Sequence, residues 1–396
     1  MKIHFKVIVE FKKRIKTQFI IYLLSILLVS SCSSALPVNN EIPGTNETGF
    51  NGPTQTLDSS RNSENSLVKI GYENNGPNYS IYFTDPQNPA AYTEENGLDK
   101  LLVNAINKSR ISIDVAAYSL SLYSVQQALI NAKHRGVVVR IVMESDNMND
   151  RVPAALQAAG ISIIGDHRDG LMHNKFIIID RSEVWSGSMN FTNTGTYEDN
   201  NNLVRINSAK AADDFTVEFE EMFKDDFFGQ DVISRTPYPE IDFSNSKIEI
   251  LFSPDDHAAK KIISLLRSAQ KSIYFLAYSF TANDFGDVIR QKEKDGLKIE
   301  GVMDEGQIQT NKGTEFTSFL KAGLPVYPDG NPGLMHHKVI IIDEKIVITG
   351  SYNFTSSAER SNDENVIIFY DEKAASDYMK EFQRIFDQSK KVPVKQ

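Results

Sequence analysis

The sequence predicts an α/β fold of mixed sheets flanked by helices, with one unit made twice. Three observations carry this. Short β-branched runs alternate along the chain with stretches of helical apolar spacing, the pattern of strands covered by helices. Residues 171–190, LMHNKFIIIDRSEVWSGSMN, recur as residues 334–353, LMHHKVIIIDEKIVITGSYN, with each matched residue 163 positions on. Upstream, Ala117-Tyr118-Ser119 recurs as Ala277-Tyr278-Ser279 and Val142-Met143 as Val302-Met303, 160 positions on. So long a period marks duplication of a whole domain, not a solenoid.

Taken in order, residues 1–31 carry six basic residues ahead of an apolar run, 19–29, too short to span a membrane. Small residues then lead to Cys32, the only cysteine. This segment, 1–32, resembles a bacterial lipoprotein signal in which the cysteine becomes the lipid-modified first residue. The alternatives are an ordinary cleaved signal or an uncleaved anchor. A lone cysteine allows no disulfide within the chain and no cysteine-based metal site. Residues 33–77 are rich in Asn, Ser, Thr, Gly and Pro and read as a flexible tether.

The first repeat spans 78–226. It opens on a strand at 79–83, then a helix at 97–108 and a strand at 111–118. A helix at 125–135 ends at Gly136, followed by a strand at 137–143. A helix at 151–159 ends at Gly160, with a strand at 161–164. The duplicated stretch follows, and a helix over 209–223 closes the unit. Residues 227–247, with Pro237 and Pro239, suit a linker. The second repeat, 248–390, runs strand 248–252, helix 258–269, strand 272–278, helix 314–321 before Gly323, the duplicated stretch, and a closing helix at 373–389.

Each duplicated stretch reads His-x-Lys, four residues, Asp, six residues, Gly-Ser-x-Asn. The first supplies His173, Lys175, Asp180, Gly187, Ser188 and Asn190, and the second His336, Lys338, Asp343, Gly350, Ser351 and Asn353. If the strand begins at the motif, its period of two sets His and Lys on one face. One copy then presents an imidazole, an ammonium and a carboxamide near one point. Two facing copies give a set of charges suited to phosphate.

These residues are the HKD signature, and over roughly residues 78–390 the chain resembles the phospholipase D superfamily in its two-motif, single-chain form. The resemblance implies two tandem α/β/α sandwich repeats packed about a pseudo-twofold axis, with one motif from each at a site on that axis. It implies a covalent phosphohistidine on His173, with His336 as general acid and base. Lys175, Lys338, Asn190 and Asn353 would hold the non-bridging oxygens. No metal or cofactor is required, because the lysines supply the charge. His337 would face away as a bystander. Asp180, Asp343, Gly187, Gly350, Ser188 and Ser351 are expected to be structural. In the family an acidic residue after the motif orients an imidazole; Glu364 fits that place. The matched position in the first half is Asn201, a departure that implies unequal environments for the two histidines. Substitution by Asp199 or Glu198 through a register shift is the alternative.

The chain carries a formal charge of −10, and −15 once residues 1–31 are set aside. A polyanion meets such a surface unfavourably at long range, although a local basic groove could override this. The expected substrate is therefore a phospholipid head-group ester of the phosphatidylcholine or phosphatidylethanolamine kind. The partners would be lipid substrate and a bacterial membrane held through Cys32, on the periplasmic or cell-surface side. The alternatives are a metal-independent endonuclease on DNA or RNA and a non-enzymatic scaffold for phosphate or anionic lipid. One chain holds both motifs, so the site needs no oligomer.

Overall fold

The computed structural model describes residues 73–75, 78–93, 97–229 and 234–392, all within one compact unit. The signal expected at 1–32, with Cys32, and most of the tether expected at 33–77 lie outside the described residues. Among the described residues no helix is long and apolar enough to cross a membrane.

The first repeat supplies β1 Glu73–Asn75, β2 Tyr79–Phe83, β3 Ser112–Ala117, β4 Val138–Met143, β5 Ser162–Gly165, β6 Lys175–Ile179, β7 Glu183–Gly187 and β8 Asn202–Asn207. They form one mixed sheet in the order β1-β2-β8-β7-β6-β3-β4-β5. The second repeat supplies β9 Glu240–Phe243, β10 Ser246–Ser253, β11 Ser272–Ala277, β12 Lys298–Met303, β13 Val326–Pro328, β14 Lys338–Ile342, β15 Ile346–Gly350 and β16 Glu364–Tyr370. Its order is the same once eight is added to each number. In both sheets the strand carrying the motif lies at the centre, antiparallel to its neighbours.

Two sequence boundaries shift. The end of the expected tether forms β1 on the edge of the first sheet. The expected linker contains β9, which pairs with β10 across a tight turn and buries Ile241. Its Glu-Ile-Asp-Phe alternation is a half-buried strand pattern that the flanking prolines masked.

The period of two sorts the motif strands into layers. Phe176 and Ile178 of β6 join Val339 and Ile341 of β14 in a core shared by both repeats. Ile177 and Ile179 face the outer core of the first repeat, Ile340 and Ile342 that of the second. The closing helices, Ala209–Phe223 and Glu372–Ser389, lie in the shared layer. Phe215 on the first meets Phe176 at 5.0 Å and, from the other repeat, Phe252 at 5.0 Å. The repeats are therefore joined by a common core, not by the linker alone.

The motif aspartates turn the chain at the far end of these strands. Asp180 and Asp343 have φ of 51° and 54°, as do the residues after them at 51° and 55°. This left-handed pair is strained for non-glycine residues. Asp180 accepts backbone N–H groups from Arg110, Ile111 and Ser112. Asp343 accepts from Gln270, Lys271 and Ser272. Burial pushes the Asp343 pKa up, but the N–H groups of Ser272, Gln270 and Lys271 outweigh it, and the net shift is down. Asp343→Ala leaves those donors without their carboxylate. It should destabilise the fold by about 2–4 kcal/mol in urea unfolding. A loss under about 0.5 kcal/mol would remove this role.

Candidate active site

Each motif strand begins at its lysine, and the preceding segment crosses to the other repeat. Met172 bridges in parallel to Asp363, and Met335 to Asn200. His173 N–H donates to Asp363 O at 3.0 Å, His336 N–H to Asn200 O at 2.9 Å. The pairs are related by the 163-residue offset, so the crossing is twofold-symmetric and brings both motifs to one seam. Glu144 at the end of β4 accepts from Met172 N–H, and Asp304 after β12 from Met335 N–H, each at 3.1 Å. These carboxylates pin the entry to each motif.

Gly187 and Gly350 close β7 and β15 at φ of 146° and 132°. A Cβ at either would stand 2.5 Å from Asn202 O or 2.2 Å from Asn365 O. That close approach lets the Ser188 and Ser351 hydroxyls reach the residues that hold the histidines.

His173 and His336 are buried, each edge-on to a tyrosine of its own repeat, Tyr118 at 4.9 Å and Tyr278 at 4.7 Å. Their partners come from the opposite repeat and differ. His173 Nδ1 lies 2.8 Å from Glu364 Oε2, which also accepts from Ser351 Oγ at 2.6 Å. His336 Nδ1 lies 3.0 Å from Asn201 Oδ1, which accepts from Ser188 Oγ at 2.8 Å. Asn201 Nδ2 donates to Gly195 O, so the carbonyl end of its amide faces the imidazole. The register-shift alternative is corrected: Asp199 accepts from Leu334 N–H instead, and Asn201 takes the place matched to Glu364. In both histidines Nδ1 is thus the donor, and Nε2 remains for chemistry.

Lys175 and Lys338 are buried and lie over Tyr118 and Tyr278, at 5.1 Å and 4.8 Å from the ring centres. Each ammonium donates to the carbonyl of its own histidine, at 2.6 and 2.8 Å. Burial brings Lys175 down to about 7, against the pull of Glu364. Burial, then Lys175, holds Lys338 well below its ordinary value. Burial, then the two lysines, lowers both histidines, and His336 is lowered further by His173. These cross-repeat effects place both imidazoles and both ammoniums in one electrostatic site. Cations held this way gain from a bound anion, which relieves their repulsion and restores their charge. Asn190 and Asn353 each leave a buried Oδ1 without a hydrogen bond.

His337 faces away from the imidazoles, but it is no idle residue. Its Nδ1 accepts from Asn202 Nδ2 of the other repeat at 3.1 Å, and its Nε2 lies 3.1 Å from Glu381. The matched set is Asn365 to Asn174 at 2.8 Å and Asn174 to Glu218 at 3.1 Å. Sequence reasoning also passed over Tyr118 and Tyr278 as site residues, although the repeated Ala-Tyr-Ser was a signal for them.

The comparisons agree with this architecture. A family described as cardiolipin synthase, PLD-like domain, matches residues 102–223 and again residues 262–386. The chain belongs to that family, within the phospholipase D superfamily. It is 34% identical over 160 residues to a phospholipase D of Rickettsia bellii (strain RML369-C), which is 39% of this chain and 79% of the relative. It is 32% identical over 133 residues to the mitochondrial cardiolipin hydrolase of Homo sapiens, 34% of this chain and 52% of the relative. The crystal structure of phosphatidylserine synthase from Haemophilus influenzae Rd KW20 covers 78% of this chain and 86% of its own, at a TM-score of 0.58 and 14% identity. That last likeness is one of fold.

Proposed function

We propose that the chain is a phosphodiesterase that removes an amine-bearing head group from a phospholipid through a covalent phosphohistidine. The carrying observation is the unequal support of two otherwise matched histidines. Glu364 holds His173 with Nδ1 protonated and strengthens Nε2 as a nucleophile. Asn201 offers His336 no charge, which suits a group that must give a proton up.

The neutral Nε2 of His173 attacks phosphorus as the bond to the head-group oxygen breaks, and His336, converted to the imidazolium as the anionic phosphate binds, gives its Nε2 proton to that oxygen. His336 then takes a proton from water, which attacks from the vacated side. The phosphorus–nitrogen bond breaks, and phosphatidate leaves with configuration retained. Lys175 and Lys338 carry the charge on the non-bridging oxygens.

The surroundings of His336 favour a cationic leaving alcohol. Asp199 and Asp304, both buried, act on Lys338 and Tyr278, and Asp329 adjoins Asp304. In the first repeat Arg168 pairs with Asp166 and Asp363; the matched residue here is Asn331, so the second repeat has no such cation at that position. Burial raises all three carboxyls, to about 6 at Asp199 and about 7 at Asp329, so an ammonium nearby favours their charged form and a polynucleotide does not. Phosphatidylcholine or phosphatidylethanolamine vesicles should release free choline or ethanolamine, and His173→Asn should abolish release. Cleavage of plasmid or single-stranded DNA with no amine release would overturn the lipid reading.

A further inference from the structure

The internal duplication allows one half of the molecule to be compared with the other, and away from the histidines they differ in a buried charge. In the second repeat Glu381 is buried on the closing helix, bonded to His337. Arg384, one turn on, donates to both Glu381 oxygens at 2.8 and 2.6 Å and to Asn200 Oδ1 at 2.8 Å. It also lies 3.6 Å from Asp85, in the loop leaving β2. A guanidinium thus fills a pocket of oxygen atoms beneath the seam.

In the first repeat the oxygens remain, but no arginine stands at the position matched to Arg384. Glu218 matches Glu381 and is likewise buried, bonded to Asn174. Glu221 stands at the position of Arg384. Asp255 comes from the loop leaving β10, as Asp85 does from β2. Carboxylate oxygens of Glu218, Glu221 and Asp255 lie within 4.8 Å of one another. Glu221 is 4% exposed, and its Oε1 is buried without accepting a hydrogen bond. Arg235 Nε stands 3.3 Å from that oxygen, but its side chain is half exposed and is shared with Asp225. The charge state follows the difference. Burial pushes Glu218 well up and Glu221 up to about 7, whereas Arg384 overcomes burial and holds Glu381 low.

We propose that Glu218, Glu221 and Asp255 bind one hard divalent cation, of the calcium class, in the place that Arg384 fills in the other repeat. The donor set is all oxygen, which selects against soft metals. Calcium takes oxygens at about 2.4 Å, so two ligands across it stand up to about 4.8 Å apart; magnesium, at about 2.1 Å, would require the site to contract. The site is separate from the phosphoryl chemistry. Its link to the motif is structural, through Asn174 between His173 and Lys175.

The test is calcium binding to the intact chain by titration calorimetry, with unfolding temperature read in parallel. Neither readout depends on the proposed activity. The chain should bind one Ca2+ saturably, and its melting temperature should rise with Ca2+ beyond the effect of NaCl at equal ionic strength. Asp255→Asn should weaken binding at least about 10-fold, since a charged ligand is lost. Glu221→Arg, which copies the second repeat, should abolish binding and melt in EDTA no lower than the parent chain. The absence of saturable binding up to about 10 mM Ca2+, beyond the weak end of protein calcium sites, would overturn the proposal. So would binding that Asp255→Asn leaves unchanged, which decides the matter even if Glu221→Arg fails to fold.

Discussion

His173→Asn is expected to lower kcat/KM for head-group release by about 10^4-fold or more, the scale of losing a nucleophile from a unit that acts together. The variant should fold, because the imidazole is a small part of a seam held by backbone bonds of Leu171 and His173 with Asp363, and of Leu334 and His336 with Asn200. His336→Asn should behave differently. It removes the proton donor, so substrates with poor leaving groups should stall. An aryl phosphodiester, whose leaving group needs no proton, should still load the enzyme and then hydrolyse slowly for lack of a base. Equal losses on both substrates, with no difference between the two variants, would contradict this division of labour.

Glu364→Gln is expected to lower kcat by about 10^3- to 10^4-fold, since the amide can turn an N–H toward His173 Nδ1 and favour the wrong tautomer. The same residue should shape the pH profile. Burial pushes Glu364 up to about 7, against Lys175 and the hydrogen bonds from Ser351 and Asn362. As pH falls through that region the carboxylate takes up a proton, and His173 loses the acceptor that frees Nε2. As pH rises, Lys175, brought down to about 7, loses its charge and its hold on phosphate. The profile of kcat/KM should therefore be bell-shaped about neutrality, with apparent values that belong to the coupled pair. Glu364→Gln should lose the acid limb and keep the basic one; an unchanged profile would remove Glu364 from this role. Asn201→Asp, at the matched position, should raise the pKa of His336 and move activity toward higher pH.

The layered fold was legible because its strands are β-branched and its helices end at glycines, signals local to each element. The duplication supplied the rest, since one repeat vouches for the other. Edge strands were harder. β1 and β9 sit in polar, proline-bearing stretches, and their pairing partners, not their composition, make them strands. β8 and β16 begin at the ends of polar runs, where Asn201 and Glu364 must be buried to meet imidazoles of the opposite repeat. Glu364 was legible as an imidazole partner only through the family resemblance; which imidazole it meets depends on the crossing at Met172 and Met335, which no local pattern encodes. Tyr118 and Tyr278 were hidden for a similar reason. A tyrosine at a strand end looks like core until the tertiary fold sets it beside a histidine.

The most direct test is to quench the enzyme during turnover of a 32P-labelled phosphodiester, digest it at neutral or alkaline pH, and identify the labelled peptide by mass spectrometry. The label should lie on the imidazole of His173, accumulate in His336→Asn, and vanish in His173→Asn. Label on the peptide containing His336, or no covalent phosphoenzyme under conditions where turnover proceeds, would contradict the account.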